Sequence, residues 1–311
     1  MRTFHRRLHV MFPLFPFASP RRVFSLSPTL LTGFFCCVLL FTACGGSVSS
    51  QILYTHATTS SVSVPSIPTS DLVTAGTLTI GSDTTYMPQE FVDSTTRQTV
   101  GFDIDLITAM AQRLGLKRQI VSSDFSTLLS GLQEHEFDVA ISAIGITPER
   151  EQMADFIPYL RSGELLLVRK GNPLHIQALT DLCGQSAAVV EGTVEQADLH
   201  IASTACVAAH KPAIHLVVLS DQNAVIQLLL TGQVVATYQD APVSDYFLKL
   251  YPQQLAPCGS IVNWDTEGIA VRKGDVPMRR ALQRVFQALE ADGTYQHLLA
   301  KWGLINESII P

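Results

Sequence analysis

The runs Thr77-Leu78-Thr79-Ile80-Gly81 and Asp103-Ile104-Asp105-Leu106-Ile107-Thr108-Ala109-Met110-Ala111-Gln112-Arg113-Leu114 decide the architecture. The first is short, rich in β-branched and apolar residues, and reads as a strand. In the second, Ile104, Ile107, Met110, Ala111 and Leu114 share one helical face, and Gly115 ends it. A strand over Arg118 to Val121, a short helix over Phe125 to Leu132 and strands over Phe137 to Ile141 and Gly163 to Arg169 follow. The rhythm then repeats. Strands are expected over Ala187 to Val190, His215 to Leu219, Val234 to Tyr238 and Gly268 to Arg272. Helices are expected over Thr193 to Ala202, Asn223 to Leu230, Ala241 to Leu250, Val276 to Glu290 and Thr294 to Trp302. Such alternation implies α/β domains with largely parallel sheets. Ligands of these sheets bind at the carboxyl ends of strands, where loops enter helices.

The chain has 311 residues, 47% hydrophobic and 15% charged, which suits a packed core rather than disorder. Its charge is unevenly spread. Residues 1–44 hold Arg2, Arg6, Arg7, Arg21 and Arg22, and the first acid is Asp71. Removing those five from 21 basic residues leaves 16 against 27 acids, a formal charge of -11 for the rest. A phosphate-tracking nucleic-acid binder needs clustered Lys and Arg, so that class is excluded. One segment alone is apolar enough to enter a bilayer, which excludes a multi-pass transporter or channel.

That segment, Val23 to Ala43, follows Arg21-Arg22 and closes on Leu40-Phe41-Thr42-Ala43-Cys44-Gly45-Gly46. A basic start, an apolar centre and small residues at the end form an export signal, here residues 1–43. Its end resembles the lipobox of bacterial lipoproteins, whose cysteine is acylated; Phe41 departs from the usual Leu. The resemblance makes Cys44 the lipid-attachment site. An uncleaved membrane anchor is the alternative, weakened as a helix by Pro28 and Gly33. Both place the rest of the chain outside the cytoplasm. Residues 45–70 carry eight serines, four threonines and no charged side chain, so 44–70 reads as the lipidated cysteine and a tether. Cys36 and Cys37 leave with the signal. In an oxidising compartment a Cys183–Cys206 disulfide is expected, with Cys258 a buried, inert thiol. No Cys-x-x-Cys or His-Glu-x-x-His occurs, so no metal is expected.

Five stretches carry a family resemblance. They are Gly81-Ser82-Asp83-Thr84-Thr85-Tyr86-Met87-Pro88, Gly101-Phe102-Asp103-Ile104-Asp105-Leu106, Ile146-Thr147-Pro148-Glu149-Arg150, Gly268-Ile269-Ala270-Val271-Arg272-Lys273-Gly274-Asp275 and Asp292-Gly293-Thr294-Tyr295. In this order they resemble the family 3 extracellular solute-binding proteins, the polar amino-acid receptors of ABC importers. The resemblance spans about 71–304. It implies a two-lobed type II periplasmic binding protein fold with ligand in the cleft. Lobe 1 would comprise 71–161 and a return segment, 266–311, and lobe 2 would comprise 162–265. The implied partners are a free amino acid, a membrane ABC permease and the lipid anchor, with no nucleic acid, no cofactor and a monomeric state.

A free amino acid presents a carboxylate, an ammonium and a side chain. Arg150, inside a helix that Thr147 could cap, is the expected carboxylate fork, since paired charge-assisted hydrogen bonds fix both charge and orientation. A surface arginine between Glu149 and Glu151 is the plain alternative. Gly192-Thr193-Val194 lies at a helix N-terminus, where free N–H groups attract anions, although Thr193 could be a simple cap. Asp240 is the expected ammonium acceptor, with an N-cap as its alternative, and Asp83 is the second candidate. The family places aromatics at Tyr86 and Phe125, which could equally be core. Ser142, Ala143 and Gly145 complete the candidate site. Here the pattern departs from the family, since hydroxyl residues are common before Thr147 and at Val194. Asp83 and Asp240, joined by Glu195 or Glu90, would favour a cationic ligand side chain. Two rival functions share the fold. A cleft dehydratase, similar to cyclohexadienyl dehydratase, would need a carboxyl of raised pKa such as Glu195 or Glu90. A lipoprotein amino-acid sensor is the other.

Overall fold

The computed structural model describes Ile67 and residues 71–309. The export segment, Cys44 and the tether except Ile67 lie outside the described residues. Ile67, within the stretch read as a tether, is buried against the first core.

The chain runs β1 (Thr77–Ser82), β2 (Thr85–Tyr86), β3 (Glu90–Val92), β4 (Thr99–Val100), α1 (Phe102–Arg113), β5 (Lys117–Ser122), α2 (Leu128–Gln133), β6 (Val139–Ala140) and α3 (Pro148–Met153). A long strand, β7 (Ala154–Arg169), leads to β8 (Ser186–Val190), α4 (Val194–Ala208), β9 (His215–Leu219), α5 (Gln222–Thr231), β10 (Ala236–Asp240) and α6 (Ala241–Leu250). A second long strand, β11 (Leu255–Arg272), returns to α7 (Val276–Ala291) and α8 (Thr294–Trp302).

The strands pair in the order β5-β1-β6-β11-β7-β10-β8-β9. The outer groups are parallel: β1 with β5 and β6, and β8 with β9 and β10. The two central strands run antiparallel to each other and to their neighbours. Each parallel group is one lobe, and β7 and β11 pass between the two. A small sheet, β2-β3-β4, lies beside the first group.

Strand alternation explains how each lobe is covered. Along β8, Ala187 and Val189 join one core with Leu199 and Cys206 of α4, while Ala188 and Val190 join another with Val225 and Leu229 of α5 and Val243 of α6. A near-continuous apolar strand with helices on both faces is the signature of a parallel sheet. In the first lobe Leu78 and Ile80 of β1 meet Leu106 and Met110 of α1, Leu282 of α7 and Tyr295 of α8. Caps set the helix starts. The hydroxyl of Thr147 accepts the Arg150 N–H at 3.2 Å, and Asp221 accepts the Ala224 N–H at 3.0 Å.

Four strands differ from the sequence expectation, and the sequence reading gives none at β2, β3 or β4. The strand expected over Val234 to Tyr238 runs Ala236–Asp240, so Asp240 ends the strand rather than following it. Phe137 to Ile141 pairs as a strand only at Val139–Ala140. Asp138 instead turns its carboxylate to the backbone N–H groups of Val73 and Thr79, both at 2.8 Å. The strands expected at Gly163 to Arg169 and Gly268 to Arg272 are the ends of 16- and 18-residue strands. Their middles are legible only through their pairing with each other, since that register is interrupted between Cys258 and Val262, between Val262 and Asp265, and between Glu267 and Gly268. Cys183 and Cys206 form a disulfide that ties the turn before β8 to the end of α4, and Cys258 is a buried free thiol. No helix among the described residues is long and apolar enough to cross a membrane.

Candidate functional site

A cavity of about 540 Å³ of empty space lies at the carboxyl ends of β1, β6, β8 and β10, and β7 and β11 close one side. Ligands of parallel sheets bind at this position. All ten candidate ligand residues line it: Asp83, Tyr86, Phe125, Ser142, Ala143, Gly145, Arg150, Thr193, Val194 and Asp240.

Arg150, in α3, lines the cavity. Its Nη1 donates to the Gly145 carbonyl at 2.9 Å and its Nη2 to the Gly192 carbonyl at 3.1 Å. The guanidinium carbon lies 5.1 Å from the centre of the Phe125 ring. One cation is thus oriented by backbone from both lobes and by an aromatic face. A guanidinium has five N–H groups, so donors remain for a ligand. Burial lowers the Arg150 pKa, against the pull of Glu195, Asp240 and Asp265. Gly192, at φ 78°, approaches so closely that a Cβ there would sit 2.9 Å from the Ser126 Cα.

Thr193 is a helix cap. Its hydroxyl accepts the Gln196 N–H at 3.1 Å and donates to the Val190 carbonyl at 2.9 Å. Its one hydroxyl hydrogen is therefore committed, and what this turn can offer an anion is backbone N–H. Asp240 behaves oppositely. It stands at the N-cap of α6 but makes no side-chain capping bond. Its carboxylate accepts instead from the Tyr86 hydroxyl at 2.8 Å and the Ser162 hydroxyl at 2.9 Å. Tyr86 belongs to the first lobe, so this bond spans the cleft. The Gln222 N–H and the Asn223 amide span it too, bonding Thr85 at 3.2 and 3.3 Å. Ser142 accepts the Asp83 N–H at 2.9 Å and donates to Glu90 at 2.8 Å. Ala143 is held at φ 46°, and its N–H donates to Asp103 at 3.0 Å.

The cavity is rich in acid. Seven carboxyl groups line it against one guanidinium: Asp83, Glu90, Glu164, Glu195, Asp240, Asp265 and Glu267. Burial pushes Asp83 and Asp240 up to about 6 and Glu164 up to about 7. Burial also lifts Glu90, Glu195 and Glu267 well above the usual carboxylate range. Behind the wall, buried Asp103 accepts from the Tyr159 hydroxyl at 2.6 Å and is raised by burial to about 6. Among the described residues no group of His, Cys, Asp and Glu is arranged to hold a metal ion.

Sequence reasoning missed Ser162, Glu164, Asn263, Asp265 and Glu267, all on β7 and β11. Their signal was weak but present: Glu164 and Glu267 are acids inside apolar strand runs, Ser162-Gly163-Glu164-Leu165-Leu166-Leu167 and Glu267-Gly268-Ile269-Ala270-Val271. A buried acid in such a run needs a reason.

Comparison with known proteins agrees with this fold. The lysine/arginine/ornithine-binding periplasmic protein of Escherichia coli (strain K12) is 31% identical over 234 residues, covering 73% of this chain and 87% of that protein. The L-cystine-binding protein TcyJ of the same strain is 28% identical over 228 residues, covering 73% and 82%. A solved ancestral arginine-binding protein bound to arginine superposes with a TM-score of 0.68 at 30% identity, covering 73% of this chain and 98% of that one. The family model of the bacterial extracellular solute-binding proteins, family 3, matches residues 78–305. With a two-lobed α/β fold, a cleft at the strand ends and a match over most of its length, the chain belongs to the family 3 bacterial extracellular solute-binding proteins.

Proposed function

We propose that this chain is a receptor that captures a polar amino acid with a cationic side chain and passes it to an ABC permease. The observation that carries the reading is the balance of charge in the cleft: one oriented guanidinium among seven carboxyl groups. Arg150 and the N–H groups at the start of α4 hold the ligand's carboxylate. Asp240, with Tyr86 and Ser162 fixing its oxygens, takes the ammonium. Tyr86 and Phe125 flank the side chain, and Asp83 receives its cationic end. Ser142, Ala143 and Gly145 form the floor. The receptor is a binding protein rather than an enzyme.

Lobe 1 is 71–161 with 266–311, lobe 2 is 162–265, and the cycle is hinge closure. Ligand docks on Arg150 and the aromatics, lobe 2 closes, and Asp240 and the Thr193 turn complete the site. Only contacts made better in the closed state favour closure. Residues 1–43 are the export signal, and lipid on Cys44 holds the monomeric receptor to the outer face of the cytoplasmic membrane, within reach of its permease.

A thermal-shift screen of the purified full-length protein against the twenty amino acids, ornithine and citrulline tests this reading. Ligand at a hundred times its Kd stabilises the fold by about 2.7 kcal/mol, so arginine, lysine, ornithine or histidine should raise Tm clearly. Calorimetry showing glutamine or glutamate far tighter than these would remove the cationic assignment. Turnover of prephenate or arogenate would instead support the dehydratase.

A further inference from the structure

Glu195 has no part in the contacts assigned above, yet it stands where the ligand's carboxylate is placed. It is the second residue of α4, lines the cavity and is 3% exposed. Its Oε1 is buried without a hydrogen-bond partner. Among the described residues it forms no salt bridge, although it is the strongest charge acting on Arg150. The guanidinium donates instead to the carbonyls of Gly145 and Gly192. Glu195 is faced by Arg150 of α3, Tyr86 of β2, Glu164 of β7, and Asp240 and Tyr238 of β10.

The turn that opens α4 has already committed part of its N–H supply. The Gln196 N–H goes to the Thr193 hydroxyl at 3.1 Å and the Gly192 N–H to the Gln196 side chain at 2.7 Å. The Glu195 N–H goes to its own carboxyl. A carboxylate has about four lone-pair sites, so an anion seated here keeps acceptor capacity that this turn does not fill. An ionised Glu195 would repel that anion. Two carboxyl groups sharing one site do not both ionise: one keeps a proton, and that proton makes it a hydrogen-bond donor.

We propose that Glu195 keeps its proton in the complex and donates a hydrogen bond from its carboxyl to the ligand's carboxylate, beside Arg150 and the α4 N–H groups. The inference rests on the reading of the cleft as a cationic amino-acid site. The charges close without Glu195. Arg150 offsets the ligand's carboxylate, Asp240 its ammonium and Asp83 its side-chain cation, so a neutral Glu195 needs no counter-charge. Burial raises Glu195, and Asp240 and Glu164 add to the rise against the pull of Arg150.

Two near-isosteric variants separate a neutral donor from an anion. Glu195→Gln keeps a donor and has no charge, and Glu195→Met has neither. Calorimetry of the full-length protein with L-arginine at pH 7.5 should give Glu195→Gln an affinity within threefold of the unaltered protein. Glu195→Met should bind about tenfold more weakly or worse, the loss of a hydrogen bond to a charged group. Any other order of the three affinities would overturn the proposal. In particular, tighter binding by Glu195→Gln would show an ionised Glu195, and equal binding by Glu195→Met would show no contact. Infrared difference spectra of the unaltered protein need no variant to fold. Adding L-arginine should perturb the carbonyl stretch of a protonated carboxyl, and labelling the ligand's carboxylate with carbon-13 should move the carboxylate band it bonds to. No perturbed carboxyl band would overturn the proposal while leaving the receptor reading intact. Failure of arginine, lysine, ornithine and histidine all to bind the unaltered protein would overturn the cationic reading and this inference together.

Discussion

Asp292 and Asp83 make the same local hydrogen bonds and titrate far apart. Asp292 accepts from the N–H and hydroxyl of Thr294, at 3.0 and 2.6 Å. Asp83 accepts from the N–H and hydroxyl of Thr85, at 3.1 and 2.8 Å. Asp292 is pushed down to about 2 by those bonds and by Arg113. Asp83 is pushed up to about 6 because burial outweighs the same bonds. The side chain of Asp292 is 38% exposed and paired with a guanidinium, whereas Asp83 is 4% exposed and, among the described residues, forms no salt bridge. Hydrogen bonding is therefore not what distinguishes the cleft from the surface. The cleft has buried acid and left the matching cation to be supplied from outside.

The sharpest way to break this contrast is to remove the cleft's guanidinium. Arg150→Ala leaves the ligand carboxylate without its fork and the carbonyls of Gly145 and Gly192 without their donor. We expect ligand affinity to fall by two or more decades in calorimetry, about 2.7 kcal/mol or more. A change below about threefold would contradict the role given to Arg150.

Asp240→Asn probes the same balance from the acidic side. The amide has nearly the shape of the carboxylate and can keep bonds to Tyr86 and Ser162, but it cannot offset an ammonium. Ligand affinity should fall by about tenfold or more, because truncating one partner of a charge pair leaves the other unpaired. The ligand-free protein should not be destabilised at pH 7.5, and removing a buried like charge should raise its stability by up to about 1 kcal/mol. Thermal melts with and without ligand separate the two effects. If stability and binding fell together, Asp240 would be a structural residue.

Much of this site was legible in the residues, and the exception has a physical cause. Asp83, Ser142, Thr193 and Asp240 sit just after or at the ends of short strands, where an apolar run stops, and at Thr193 and Asp240 a helix begins. Local pattern marks such positions. Helices α6 and α8 were legible for the same reason, their ends falling as expected at Ala241–Leu250 and Thr294–Trp302. Glu164, Asp265 and Glu267 lie within β7 and β11, whose length exists only because the two strands pair with each other across long stretches of intervening chain, 85 residues between Leu255 and Arg169 and 106 between Glu267 and Leu160. No local pattern encodes that pairing. The alternatives for Thr193 and Asp240 were also beyond the sequence: both stand at a helix N-cap, and only geometry shows that one hydroxyl caps and one carboxylate does not.

Titration of the ligand-free protein sharpens the contrast more gently. Asp83, Asp103 and Asp240 titrate near 6 and Glu164 near 7 in the folded state. Their unfolded values lie near 4. Between about pH 4 and 7 the folded state therefore binds more protons than the unfolded state, so stability falls as pH rises through that window. Calorimetric melts should give a Tm several degrees higher at pH 5 than at pH 7.5. Saturating ligand, which supplies the missing cation, should narrow the gap. Asp292 adds nothing here, since its folded-state lowering changes stability only as pH falls from about 4 through about 2. A Tm that rose from pH 5 to 7.5 without ligand would mean the cleft acids are already compensated.

The smallest effect belongs to the surface pair. Arg113 and Asp292 form a salt bridge between α1 and the start of α8, with side chains 44% and 38% exposed. Water screens both charges, and ordering two mobile side chains costs entropy, so such pairs contribute about 0–1 kcal/mol. Arg113→Ala also leaves both Thr294 bonds to Asp292 in place. Urea unfolding should accordingly shift by less than about 1 kcal/mol, and by less still at about 1 M salt, where the screening length is about 3 Å. A loss above about 2 kcal/mol, insensitive to salt, would show that this carboxylate depends on its cation as the cleft does. The difference drawn between solvent and burial at Asp292 and Asp83 would then fail at its surface end.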